Sequence, residues 1–241
     1  MAVNIDTVYQ RVLAIANKEQ RGYITPQEFN LYANQAQMDI FEQYFYDLNA
    51  FSRIPGNDYT YADQVDILQE KIDIFERFRQ SVDMSAGNGV GVLPAHYRMG
   101  ELFFKYRGGY IEIEKINQNE VHHIQNSPLT APALTRPVYV RSQTTTNGEL
   151  AVQIFPTNIL TNVYCNYIAN PATVNWAYVI NNTNGKALYN ANLATHFELH
   201  DSEETELVIK ILELAGITLK DPQVYQVAAT EEAQNVQQEN K

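Results

Sequence analysis

The sequence predicts an α+β fold: N- and C-terminal helices form one helical bundle, with a central antiparallel β insertion built as a small sandwich or open barrel. Three observations lead there. Apolar residues recur at helical spacing up to about residue 82. From Ser85 the period shortens to alternating runs broken by Gly, Pro and Asn, and helical spacing returns after residue 200. Helices at the two ends cannot bury their apolar stripes alone, so the economical arrangement joins them across the β excursion. The division that follows is 1–84 for the N-terminal helical part, 85–195 for the insertion, 196–229 for the C-terminal helices and 230–241 for a flexible tail.

Residues 4–19 read as a first helix with Val8, Val12, Ile15 and Ala16 on one face and Asn4 or Asp6 as cap. Arg21-Gly22 is a turn. Thr25, Pro26 and Glu28 then make a capping box with proline at the first helical position. Phe29, Ala33, Ala36, Ile40 and Tyr44 follow as the stripe of a second helix, widened by Phe41, Phe45 and Leu48. Tyr32 and Tyr46 fall off that stripe and are candidate subunit-interface residues. Pro55-Gly56 marks a loop. A third helix is expected from Ala62 to about Val82, with Val65, Leu68, Ile72, Phe75 and Val82 on its buried face and Lys71, Arg77 and Arg79 on a solvated face.

Ser85–Gly91 reads as a flexible joint. Around Arg107-Gly108-Gly109 the runs Leu102–Tyr106 and Tyr110–Ile116 form a hairpin, with Ile111, Ile113 and Ile116 alternating with Glu112 and Glu114. Ser127–Pro137 holds Pro128, Pro132 and Pro137 and is expected to be an extended arm, so these prolines join the interface candidates. Further strands are expected at Val138–Arg141, Leu150–Phe155, Asn162–Ala169 and Trp176–Ile180, with a turn at Thr146-Asn147-Gly148. Near the end, Asp201 and Glu204 read as a cap, Leu207, Val208, Ile211, Leu212 and Ala215 as a stripe, and Gly216 as a stop. Asp221-Pro222 begins another short helix, and residues from Thr230 on carry no apolar face.

Composition narrows the function. The 241 residues are 45% hydrophobic, enough for a real core, and the net charge is −11. A uniformly basic nucleic-acid surface is therefore improbable. An acidic wall suits DNA that must slide past, although solubility explains it equally. No apolar run is long enough to span a bilayer, and residues 1–11 lack the pattern of a secretory signal. Cys165 is the single cysteine, in a strand-like apolar run, and is expected to be a buried thiol. Sixteen Tyr and ten Phe against one Trp suit extended interfaces.

Candidate chemistry is sparse. Gly87–Gly91 is glycine-rich, but a helix precedes it and Leu93-Pro94 follows, the wrong context for a dinucleotide loop. His122 and His123, read on a strand, point to opposite faces and do not share a metal. His196, Glu198 and His200 have ligand-like spacing without a zincin motif. No catalytic, cofactor-binding or metal-binding residue is predicted, no cofactor is expected, and the chain is expected not to be an enzyme.

Two stretches carry a resemblance. KEQRGYITPQEFNLYANQAQMDIFEQYF, from Lys18, and FELHDSEETELVIKILELAGITLKDPQV, from Phe197, resemble virion structural proteins of tailed bacteriophages, particularly crAss-like phages with short tails. Together they cover about a quarter of the chain, and the β region matches in style alone. The resemblance implies a head-to-tail connector (an adaptor, neck or ring protein beside the portal) that surrounds the DNA channel. It implies a homo-oligomeric ring of about twelve copies. It also implies portal and other neck or tail ring proteins as partners, non-specific proximity to genomic DNA, no membrane, and a virion location after assembly in the host cytoplasm. The family carries no catalytic residues to transfer. Two other readings are a receptor- or carbohydrate-binding tail module using Trp176 and Tyr residues, and a hydrolase built on Asp201 and Glu204.

Overall fold

The computed structural model describes residues 3–18, 24–52, 59–143, 150–181 and 185–218. In chain order the elements are α1 (Ile5–Lys18), α2 (Pro26–Ser52), α3 (Tyr59–Asp73), β1 (Glu76–Ser81), β2 (Val90–Val92), β3 (Arg98–Tyr106), β4 (Gly109–Lys115), α4 (Val121–Asn126), β5 (Val138–Gln143), β6 (Leu150–Phe155), β7 (Val163–Ile168), β8 (Tyr178–Ile180), β9 (Ala187–Tyr189) and α5 (Glu204–Thr218). Two compact units result. One joins Met1–Ile74 with Pro171–Lys241; the other is Phe75–Asn170.

The expected fold is corrected. Terminal helices bundled around an antiparallel sandwich or open barrel is not what the chain adopts. It is α+β with a seven-stranded mixed sheet curled as a half-barrel, so that much of its core is strand. The strand order is β1-β7-β3-β4-β5-β6-β2. All pairings are antiparallel except β4 with β5, where Glu114 faces Val138. Residues 116–137 supply the long crossover that a parallel pair requires. Alternation of side chains reports a dry face but says nothing of strand direction. That is why this pairing was not readable.

Within the sheet unit the concave core gathers Leu102, Phe104, Ile113, Val152, Ile154, Val163 and Cys165. Val138 and Val140 point to the opposite face, where Val121 and Ile124 of α4 cover them. The β3–β4 hairpin turns at Arg107 and Gly108, both at positive φ, as a two-residue primed turn demands. The expected joint at Ser85–Gly91 is instead tightly fitted. Gly89 accepts a backbone bond from Ile154 at 2.8 Å, and Val90–Val92 pairs with β6.

The Ser127–Pro137 arm is folded rather than extended. The amides of Thr130 and Ala131 bond the Ser127 carbonyl, and Ala133 bridges Arg136. The expected third helix also stops early, at Asp73, and Glu76–Ser81 is a strand along β7. Phe75 and Val82, read as one helical face, are buried on either side of that strand. A bulge at Arg77–Gln80 breaks its alternation, which hid it from a period-2 reading.

In the helical unit the Thr25 capping box forms as predicted. The Thr25 amide donates to Glu28 at 2.9 Å, and the Glu28 amide donates to the Thr25 hydroxyl at 3.3 Å. The Thr25 hydroxyl, which donates to the Glu28 carboxylate at 2.7 Å, and the Thr25 amide hold that carboxyl below its usual range. Phe29, Ala33, Ala36, Ile40, Phe41 and Tyr44 are buried as expected. On α1, Asn4 caps through a bond from the Asp6 amide at 2.8 Å; Ile5, Val8, Tyr9 and Val12 face inward, whereas Ile15 is 43% exposed. Gly216 does not stop α5, which runs to Thr218 with Gly216 buried. The expected turns at Arg21-Gly22, Pro55-Gly56 and Thr146–Gly148, the Asp221-Pro222 helix and the 230–241 tail lie outside the described residues.

Helix α2 also carries a ladder of side-chain amides. Asn30, Asn34 and Gln37, at i, i+4 and i+7 on α2, hold the extended backbone of residues 172–176. Asn34 both accepts from the Val174 amide and donates to its carbonyl, each at 2.9 Å. Asn30 accepts from the Trp176 amide at 2.7 Å, and Gln37 donates to the Ala172 carbonyl at 2.8 Å. The backbone of an extended segment is thereby satisfied by side chains of a helix. Replacing Asn34 with Leu strands two backbone groups and is expected to cost about 2 kcal/mol in urea unfolding. A loss under about 0.5 kcal/mol would show that solvent takes over both bonds.

Candidate functional site

The residues that α2, α3 and α5 bring together are charged ones that sequence reading set on the surface. Lys71, near the end of α3, was expected on a solvated face. It turns inward, and its Nζ lies 2.7 Å from Oε1 of Glu203, with side chains 17% and 4% exposed. The same ammonium sits 5.5 Å from the centre of the Tyr44 ring. Glu203 lies in the 3-10 turn Asp201–Glu203 before α5 and accepts from the Ser202 hydroxyl at 2.8 Å. Burial opposes its charge, but the Lys71 bond and attraction, with help from Ser202 and Glu206, hold its carboxyl below the usual carboxylate range.

Around this pair lies a groove of about 180 Å³ lined by Ile40, Tyr44, Asp47, Phe51, Ile67 and Leu68, among others. Asp47 is the second carboxylate. Burial pushes it above its usual range, against a Gln43 hydrogen bond and the pull of Lys71. The arrangement places one cation, Lys71, in a partly apolar groove lined by three carboxylates, Glu203, Asp47 and Glu206. Its volume is below the several hundred Å³ of typical small-molecule sites and suits one or two side chains of a partner. An ionised Glu203 already bonded to Lys71 is a weak general base near neutral pH.

The expected Asp201–Glu204 cap is corrected as well. The turn is capped by His200, whose Nδ1 accepts from the Ser202 amide at 3.3 Å, and Glu204 pairs with Arg11 at 3.2 Å. His122 and His123 sit on α4, not on a strand, and both are exposed. His196 accepts from the Ile5 amide at 3.3 Å, while Phe197 and Leu199 beside it are fully buried. Among the described residues no three His, Cys, Asp or Glu side chains are grouped to hold a metal ion. Nor is any helix there long and apolar enough to cross a membrane.

No family model matches the sequence, and no curated protein matches it significantly.

The interface candidates are scattered. Tyr46 is 74% exposed, and Tyr32 is half-buried. Pro128 is exposed next to Leu129, which is 92% exposed; Pro132 is half-buried. Pro137 is buried, and its carbonyl accepts from the Glu114 amide at 3.1 Å, so it offers no surface. Trp176 is 3% exposed, donates to Asp6 at 2.9 Å and packs among Tyr9, Tyr178 and Tyr189, which removes it as a sugar-stacking platform.

Sequence reading missed two features. The Lys71–Glu203 pair spans two distant segments and leaves no local signal. The Asn30–Asn34–Gln37 ladder did leave one: three amides at helical spacing beside an apolar stripe, where Asn is a poor helix former. Cys165 is as expected, 1% exposed, its thiol pushed up to about 11 by burial. A thiol-reactive dye is therefore expected to label the native protein slowly and the urea-unfolded protein fast. Equal rates would contradict the burial.

Proposed function

We propose that this protein is a non-enzymatic structural subunit of a tailed-bacteriophage virion. It would form a ring in the portal or neck region that connects capsid to tail and surrounds the DNA channel. The observation that carries the proposal is the resemblance of residues 18–45 and the segment from Phe197 to virion structural proteins of tailed, particularly crAss-like, phages, which points to a connector. Three properties of the molecule support it. The groove around Lys71 is sized for a partner's side chains rather than a substrate. Large apolar side chains stand in solvent in both units, Leu31, Tyr46 and Leu193 in one and Phe78 and Leu129 in the other. The helical unit concentrates the acidic charge, which suits a wall past which DNA slides with weak contact.

The partners of this reading are further copies of the chain, the portal protein and the neighbouring rings of the neck or tail. The location is the virion, after assembly in the bacterial cytoplasm. Mass spectrometry of gradient-purified phage particles tests the proposal. The protein is expected at a copy number fitting one ring per particle, and its absence from purified virions would reject the proposal.

A further inference from the structure

Charge is divided unevenly between the two units. Residues 75–170 carry eight Lys and Arg against seven Asp and Glu, a net +1, so the rest of the chain carries −12 of the total −11. The cations of the sheet unit are also organised. On the outer face, away from the buried Leu102 and Phe104, Lys105 stands across from Tyr110 and Phe103 across from Tyr164. Arg79 reaches this face from the β1 bulge and stacks 4.2 Å from the Tyr110 ring centre, with Lys105 5.9 Å from the same centre. The two charges are thus no more than about 10 Å apart. Phe78, 65% exposed, lies 4.6 Å from the Arg79 guanidinium and extends the patch.

The helical unit presents a counterpart. Asp66, Glu70 and Asp73 are exposed at i, i+4 and i+7 on α3, and Ile67 beside them is 54% exposed. Seven residues of helix advance about 10 Å, so the three carboxylates span at least the separation of Arg79 and Lys105. Each patch thus combines a cluster of like charges with apolar surface, and the sheet face also carries Glu112.

We propose that the Arg79–Lys105–Tyr110–Phe78 face binds the Asp66–Glu70–Asp73 face of α3 in a second copy of this chain. The two faces differ, so the contact is head-to-tail, the kind that closes into a ring when the rotation allows. Single-stranded nucleic acid is the competing occupant, since aromatic rings beside cations also stack bases. Glu112 argues against it. This carboxylate lies across from Phe103 in the middle of the same face and would meet a phosphate backbone as a like charge. The α3 face is not a continuous line of anions, since Ile67 stands exposed among its carboxylates, so it need not set a charge against Glu112.

The inference deepens the proposed ring-forming role and rests on it. Sedimentation velocity of the full chain at low and high salt tests it with two charge-reversed variants, Arg79→Glu/Lys105→Glu and Asp66→Lys/Glu70→Lys. The native protein is expected to self-associate at low salt, and each variant alone to associate about tenfold more weakly or worse. Mixing the two variants is expected to restore association, because each then offers the complement the other lacks. Circular dichroism of each variant checks that it folds. A native protein that stays monomeric at every salt and concentration, variants that associate normally, or a mixture that stays apart would overturn the inference. So would binding of an oligothymidine probe that the Arg79→Glu/Lys105→Glu change abolishes while self-association persists. Presence in virions is a separate readout, so a failed charge swap leaves the ring proposal standing.

Discussion

Lys71→Met is expected to destabilise the helical unit by about 3 kcal/mol, the lower end of the cost of breaking a buried ion pair. The figure sits low because Lys71 keeps 17% of its side chain in solvent while Glu203 keeps 4%. Removing the cation leaves a buried carboxylate with nothing but the Ser202 hydroxyl and its neighbour Glu206 to favour its charge. The double change Lys71→Met/Glu203→Leu removes both charges and is expected to recover most of the loss, since a buried pair is often no better than an apolar match. Urea unfolding followed by circular dichroism measures both. A single-variant loss under about 1 kcal/mol would mean that the pair is solvated and contributes like a surface bridge.

The same pair sets an acid limit. Glu203 titrates below its ordinary 4.5 in the folded chain. Between the folded and unfolded values the unfolded chain binds more protons, so stability falls as pH drops through that window. The contribution is fully present above the unfolded value, at neutral pH. In Lys71→Met burial is left largely unopposed, and the carboxyl is expected to move above its unfolded value. The folded chain then takes the proton first, so acidification through that window restores stability instead of removing it, which urea unfolding against pH measures.

Gly89→Ala is expected to cost about 3 kcal/mol or more, at the upper end for single changes. Two effects add. Gly89 has φ +75°, which an L-residue adopts at a cost of about 1–2 kcal/mol. An added Cβ would also stand 2.5 Å from the Ile154 carbonyl oxygen and 3.0 Å from Cα of Thr157, both backbone atoms with little room to shift. Gly87 provides the control. Its φ is +71° with nothing within 4 Å of the added carbon, so Gly87→Ala carries the conformational cost alone, about 1 kcal/mol. Equal losses at the two positions in thermal unfolding would show that the Gly89–β6 contact relaxes.

These two sites show what could be read in advance. The second helix was legible in full, from the Thr25–Glu28 box through the stripe to Tyr44, because caps and helical spacing are local. The β3–β4 hairpin was legible for the same reason, since Arg107-Gly108 fixes its own register. The parallel β4–β5 pair was not, because strand direction depends on a crossover of residues 116–137 that carries no directional code. Gly87–Gly91 looked like a hinge because glycine is permissive by itself; only the neighbouring β6 backbone shows that close approach requires Gly89, and only the packed Val82 and Met84 side chains show the same for Gly91. Lys71 was placed outside because an isolated lysine in a mixed-charge helix normally is, and its partner lies 132 positions away in sequence.

The candidate surfaces divide in the same way. Exposure of Tyr46 agrees with its place off the α2 stripe, whereas Pro137 was grouped with its neighbours by composition and is buried at the start of β5. The Arg79–Tyr110–Lys105 patch needed the sheet order, since β1 and β4 meet on one face through β7 and β3.

The central claim is a place in the phage neck. Electron microscopy of intact particles carrying a gold-labelled copy of this subunit tests it most directly. The account predicts label at the single vertex where capsid meets tail. Label distributed over the capsid, on the distal tail fibres or absent from the particle would contradict it.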